Sequence, residues 1–211
     1  MRIFITFCTL GVMLLVVSCG EEASELKQAI SNMESIAESA KDMESEMNVL
    51  EKRREERRKR GDTLAMKAEE LMKYLPENIK DYTSGKPSYE STDMPGMSFT
   101  QVRRQYTSAN GKTVSISLTD YNSSEMGWMG ASAIFQIKFK TENDQEMQQT
   151  FETKNQFVNG HERYDKTNKN VTVSYGIGGR FFLTIDAEDQ SSTDWAKGIA
   201  SSMNLDKLSK L

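Results

Sequence analysis

His161 is the single histidine of the chain, and Glu162 and Tyr164 follow it closely. An imidazole, a carboxylate and a phenol so near one another are the types that move protons or hold a metal ion. A metal site normally takes three or four ligands, and too few nitrogen and oxygen donors surround His161 to supply them. Asp186-Ala187-Glu188-Asp189 is acidic but lacks the spaced oxygens and glycine turn of a calcium loop, so it reads as solvated charge. Gly176-Ile177-Gly178-Gly179 has no lysine after it and joins two strand-like stretches, which makes it a hairpin turn and not a phosphate loop. No serine, histidine and acid set assembles around one histidine. The residues therefore predict no catalytic set, no metal and no cofactor, with His161, Glu162 and Tyr164 as the candidates should a reaction exist.

Cysteine chemistry is equally restricted, because the chain holds two cysteines, Cys8 and Cys19. Met1-Arg2 gives a short positive start, and Ile3 to Val17 is almost unbroken apolar sequence before Ser18-Cys19. This is the anatomy of a secretory leader. A membrane span takes about 20 apolar residues, and this run is shorter. Val16-Val17-Ser18-Cys19 resembles the lipobox of bacterial lipoproteins, in which the cysteine is acylated and becomes the first residue of the mature protein. That resemblance implies lipidation at Cys19, a leader over residues 1–18 and membrane attachment through the lipid. Two or more acyl chains hold stably, since each buried methylene contributes about 0.8 kcal/mol. Gly20 stands where lipoprotein sorting of the enteric type uses Asp for inner-membrane retention, which implies the outer membrane. Glu21-Glu22 resembles the acidic tethers of surface-exposed lipoproteins, and the choice between the periplasmic face and the cell surface stays open.

Losing residues 1–18, which carry one Arg and no acid, takes the formal charge from −4 to −5. In this reading Cys19 is the only cysteine left, so neither an internal disulfide nor thiol catalysis is expected.

Elements that would position these residues follow from composition and period. Residues 21–75 contain no Pro and one Gly, and Leu26, Ala29, Met33, Ile36, Ala40, Met43, Met47 and Leu50 keep an alternating 3-4 spacing. Such spacing predicts an amphipathic helix with a coiled-coil-like seam. The seam is weak, being rich in Ala and Met, and its flanks show no pattern of opposite charges. Self-association through residues 26–50 and packing on a neighbour in the same chain both remain open. If residues 22–58 formed one straight helix, it would reach about 55 Å at 1.5 Å per residue.

The seam runs into Lys52-Arg53-Arg54-Glu55-Glu56-Arg57-Arg58-Lys59-Arg60, with Arg54 and Arg57 at would-be core positions. The block reads first as a solvated helix face with internal Glu–Arg pairs. Arg53, Arg54, Arg57, Arg58, Lys59 and Arg60 are otherwise candidates for contact with a partner or an anionic surface such as lipid phosphates. Nucleic acid is not expected on the exported side. After Gly61, the stripe Leu64, Ala68, Leu71 and Leu75 predicts a second helix ending at Pro76, and hence a helical hairpin.

Residues 81–96 are polar with Gly and Pro, and read as a linker or surface loop. Beyond them the period becomes two. Val114, Ile116 and Leu118 alternate with polar residues after the turn signal Asn110-Gly111. Phe135, Ile137 and Phe139 repeat the alternation, though Trp128 to Phe139 could instead begin as a helix because Gly127 and Gly130 blur the boundary, and 149–153, 156–164, 170–175 and 180–186 are further strands. Ser191 to Met203 closes the chain as a helix. The expected class is α+β: an N-terminal amphipathic helix or helical hairpin over 19–75, then an antiparallel β-sheet domain with a C-terminal helix over 76–211.

Methionines in this chain read mainly as core filler. Met94, Met97, Met126, Trp128 and Met129, close to loops, are the candidates for an apolar binding patch. Leu75-Pro76-Glu77-Asn78-Ile79, His161 to Lys166, Gly179-Arg180-Phe181-Phe182 and Asn204 to Leu208 resemble segments of an uncharacterised group of bacterial envelope proteins. The resemblance spans roughly the last two thirds and implies a fold class without a reaction. The functional expectation is a membrane-anchored envelope lipoprotein acting as a non-enzymatic binding or structural module. The alternatives are a lipid carrier, which needs a deep apolar cavity under the helix, and an uncharacterised hydrolase.

Overall fold

The computed structural model describes residues 45, 47–94 and 97–211. The leader, Cys19 and the seam from Leu26 to Met43 lie outside the described residues. Among those described, residues 47–59 form helix α1, and the remainder is built on one antiparallel sheet of nine strands. The expected α+β class with an antiparallel sheet and C-terminal helix is what the chain adopts.

The strands are β1 (Tyr82–Ser84), β2 (Ser88–Met94), β3 (Met97–Ser108), β4 (Thr113–Asp120), β5 (Lys140–Glu142), β6 (Glu146–Glu152), β7 (Val158–Asp165), β8 (Asn170–Ile177) and β9 (Phe181–Ala187). Their order is β1-β3-β4-β9-β8-β7-β6-β5, and β2 shares with β1 the outer edge of β3. Two meanders, β2-β3-β4 and β5 to β9, thus join where β4 meets β9. Helices α2 (Ala68–Met72), α4 (Asp194–Ser202) and α5 (Leu205–Leu208) pack into the core, while α3 (Glu125–Ser132) and a 3-10 turn (Ala133–Phe135) follow β4.

Alternation decides the faces. Register aligns Val102, Leu118, Leu183 and Tyr175 across β3, β4, β9 and β8, with Ile116, Ile185 and Val173 in the adjacent row. This face is closed by Leu71, Leu75 and Ile79 on one side and by Ala196, Ile199, Ala200 and Leu208 on the other. The other face is polar, with Ser115, Ser117 and Thr119 on β4 and Thr172 and Ser174 on β8. Its cover consists of α3 and the 3-10 turn: Gly176 lies under the rings of Phe135 and Trp128, and Phe135 meets Phe182 at 5.7 Å.

Three expectations change in detail. The polar stretch 81–96 contributes β1 and β2, whose side chains are mostly exposed. Edge strands bury little, so alternation does not mark them, and their charges discourage further pairing. Phe135 to Phe139 is not a strand but the 3-10 turn and the segment after it, which turns Phe135 and Phe139 onto the far face and leaves Ile137 exposed. The second helix shrinks to five residues, with Leu64 56% exposed, because the backbone N–H groups of Ala65 and Met66 are taken by Ser98 and Asp120 of the sheet and not by helix carbonyls.

Candidate functional site

The arginine-rich block divides by face. Leu50, Arg54 and Arg57 continue the 3-4 spacing of the seam, and with Arg53 they turn towards the sheet domain. Leu50 sits against Gly179, close enough that a Cβ there would lie 2.7 Å from the leucine side chain. Gly179 also has a positive φ, as does Gly178, so the tight β8–β9 turn and the seat for Leu50 come from the same glycine run. The Arg53 guanidinium stacks on Phe157 at 4.3 Å and donates to the Ser209 carbonyl. Arg54 pairs with Glu125 of α3 at 2.7 Å. Arg57 donates from Nε to Asn122 Oδ1 at 3.0 Å. Arg58, Lys59 and Arg60 are exposed.

Arg57 is enclosed, at 2% exposure, and its Nη1 has no partner. Burial, then the like charges of Arg180 and Arg53, lowers its pKa to about 10. Below it, Arg180 binds both oxygens of Asp120 and reaches Asp62 at 2.7 Å. Burial opposes the charge of Arg180, but the bonds to Asp120 and Asp62 hold its pKa above the ordinary value. Asn122 completes the cluster by donating to Asp62 Oδ1 and to the Leu64 carbonyl, while the Met66 N–H donates to Asp120. This cluster fastens the C-terminal end of α1 and the 61–67 connection to the sheet.

Between α1, α3 with its 3-10 turn, and the start of β7 and end of β8 lies a cleft of about 400 Å³. Met47, Leu50, Trp128, Met129, Phe135 and Phe157 supply its apolar wall, and Arg54 and Glu125 stand on its polar side with Gln136, Gln156 and Asn159. Met47 and Met129 are half exposed, at 53% and 51%. Of the proposed apolar patch, Trp128 and Met129 reach this cleft. Met126 is on α3 but turned outward at 87% exposure, and Met94 and Met97 face each other at the β2–β3 hairpin.

His161, Glu162 and Tyr164 are not brought together. Glu162 and Tyr164 point to the core face, His161 to the opposite one. Glu162 accepts hydrogen bonds from Thr193, Lys197 and Gln149, fixing α4 to the sheet. Burial alone would raise its pKa, yet these bonds leave it below the usual value. Beside it, burial and the Glu162 charge push Tyr175 up to about 12. His161 is 4% exposed, lies 5.8 Å from the Phe139 ring and has no partner for either ring nitrogen.

Asp186 accepts from the Thr172 hydroxyl and Glu188 from the Thr113 N–H. Among the described residues no group of three or more His, Cys, Asp or Glu is placed to hold a metal ion, and no helix is long and apolar enough to cross a membrane. Neither composition nor spacing joins Asp62, Asn122 and Arg180 into one cluster. The interruption of the seam by Arg54 and Arg57 was the available hint that something polar awaits that stripe.

Fold and site together define an α+β protein in which an amphipathic helix is docked on a nine-stranded antiparallel sheet and walls a cleft. Comparisons with protein families, with curated proteins and with solved structures find no match to this chain.

Proposed function

We propose that this protein is a lipid-anchored envelope lipoprotein whose sheet domain acts as a non-enzymatic binding module, with the α1–α3 cleft as its binding surface. The observation that carries this reading is that α1, the helix leading back towards Cys19, is itself one wall of the cleft. In this reading an N-terminal helical segment follows an acylated Cys19 at the outer membrane, and occupation of the cleft bears directly on the element that connects the domain to its anchor. The cleft volume falls within the range of about 300–1,000 Å³ common to ligand pockets. Its lining interleaves Arg54, Glu125, Gln136 and Asn159 with Trp128 and Phe135, which suits a partner with both polar and apolar groups. A carrier of acyl chains would want a continuous apolar lining, so this composition favours the binding-module reading over lipid carriage.

Two measurements test it. In the full chain, Cys19→Ser is expected to leave the membrane fraction, and the wild-type N-terminus to carry acyl mass. A photo-crosslinking residue at Met129 is expected to form a discrete adduct in intact cells that weakens in an Arg54→Glu background, whereas one at the distant Lys86 forms none. Retention of Cys19→Ser in membranes without acyl mass on the wild type would remove the anchor. Equal labelling from positions 129 and 86 would remove the cleft.

A further inference from the structure

His161 occupies a position that the fold does not otherwise explain. It stands on β7 between Thr150 of β6 and Ser174 of β8, facing the polar side of the sheet, and it is enclosed there without a hydrogen bond to either nitrogen. Against it lies the segment 133–139. Phe139 lies against the imidazole, and the Thr150 hydroxyl, the nearest cross-strand group, is committed to the Phe139 N–H and the Ile137 carbonyl. Phe135 and Gln136 of the same segment line the cleft.

We propose that the segment 133–139 is a proton-operated cover: protonation of His161 releases it from the sheet and opens the inner wall of the cleft. The functional part of this inference rests on the reading of the cleft as a binding surface; the opening itself does not.

A charged imidazole needs acceptors for two N–H groups and has none where it lies. From β6 it is faced by Thr150, with Gln148 and Glu152 along the same side, and from β8 by Ser174 and Thr172. From its own strand it is flanked by Asn159 and Arg163, and from the cover by Phe139 and Lys138. The two acids in this neighbourhood are already bound, Glu152 to Lys138 and Glu146 to Arg163. Glu162 projects to the opposite face and is held there by Lys197. Burial therefore dominates and keeps the imidazole pKa below its ordinary value, with Arg163 acting in the same direction and Glu162 against it. At 4% exposure the ring is shielded from water, and Phe139 is the ring that lies against it.

The cover is built to move as a unit. It is one segment thick, with Ile134 and Ile137 at 37% and 68% exposure, and it is held by a few contacts. Among them are the Phe139–Thr150 backbone and side-chain bonds, the bond from the Thr150 hydroxyl to the Ile137 carbonyl, the exposed Lys138–Glu152 ion pair, the Phe135–Phe182 ring contact and the seat of Phe135 on Gly176. A group whose folded pKa is depressed stabilises the closed form above its ordinary pKa, and that stabilisation is lost as the pH falls through the lowered value.

Because the chain has one histidine, its imidazole signal in a full-length sample is unambiguous. The test is NMR titration of that signal together with hydrogen exchange of 133–139, from about pH 7.5 to about pH 5, bracketing the ordinary value near 6.5. Rates are normalised to an unstructured reference peptide. The expected result is titration below the ordinary value and a several-fold loss of protection in 133–139 at the acid end, with β8 and β9 unchanged. His161→Phe, which keeps the ring and removes the proton, is expected to hold the segment closed at both pH values, and His161→Gln serves if the phenylalanine variant does not fold. Protection of 133–139 that is independent of pH in the wild type, or lost equally in the variant, would overturn the proposal. A failed Met129 crosslink would leave this result standing, so the two readings fail separately.

Discussion

Glu162 and His161 are neighbours on one strand and nearly equally enclosed, yet Glu162 meets three donors while His161 packs on the ring of Phe139 and makes no hydrogen bond. They belong to different faces of the sheet. On Glu162's side, α4 arrives with Thr193 and Lys197 already placed for it, and the surrounding surface is filled by Val173, Ile185 and Ile116. On His161's side, a short helix, a 3-10 turn and the arginine-docked α1 cover a surface of serine and threonine. A buried polar group that is fully paired fixes a structure, whereas one left without partners lowers the free energy needed to open it. The core face therefore holds the fold, and the far face holds what can rearrange.

The largest effect is expected where a buried ion pair is broken. Arg180→Met leaves Asp120, which is fully enclosed, without its cation, and loss of one partner of a buried pair costs about 3–5 kcal/mol. Chemical denaturation should show that loss. A change below about 1 kcal/mol would mean that the cluster is no firmer than an exposed salt bridge.

Next in size is the contrast between the two neighbours. Glu162→Gln keeps a group for Thr193 to bond but gives up the charge opposite Lys197, and hydrogen bonds to charged groups contribute about 1.5–3 kcal/mol each. The variant should be less stable at neutral pH. The wild type should lose the same stability as the pH falls below the ordinary Glu value of 4.5, because a depressed carboxylate pKa stabilises the fold above that value and not below the lowered one. His161→Phe should go the other way, gaining about 1 kcal/mol at neutral pH by removing unpaired buried nitrogens without removing ring volume. Destabilisation by both substitutions would erase the distinction between the faces.

Much of the core face was legible in the sequence, since Val114, Ile116 and Leu118, and the apolar positions of β8 and β9, alternate as a one-sided sheet requires. The hairpin between β8 and β9 was legible from the glycine run 176–179, although its turn is confined to Gly178 and Gly179, and Gly176 and Ile177 still pair within β8. The far face was not. Its cover carries Phe135, Ile137 and Phe139 at strand spacing, and a period of two cannot distinguish a strand from a segment pressed onto a sheet by its aromatic rings. The arginine block shows the limit most clearly. Its composition is that of a solvated helix face, and whether Arg57 meets water or Asn122 is decided by residues 65 positions away. β1 and β2 were hidden because an exposed edge strand leaves no apolar trace.

The difference between the faces is tested most directly by native-state hydrogen exchange on the full chain at neutral pH, comparing β8 and β9 with α1 and the segment 125–139. The account predicts that β8 and β9 exchange only through global unfolding, and that α1 and 125–139 exchange through openings of clearly lower free energy that denaturant scarcely affects. Exchange of all four regions at one common free energy, with one common dependence on denaturant, would contradict it.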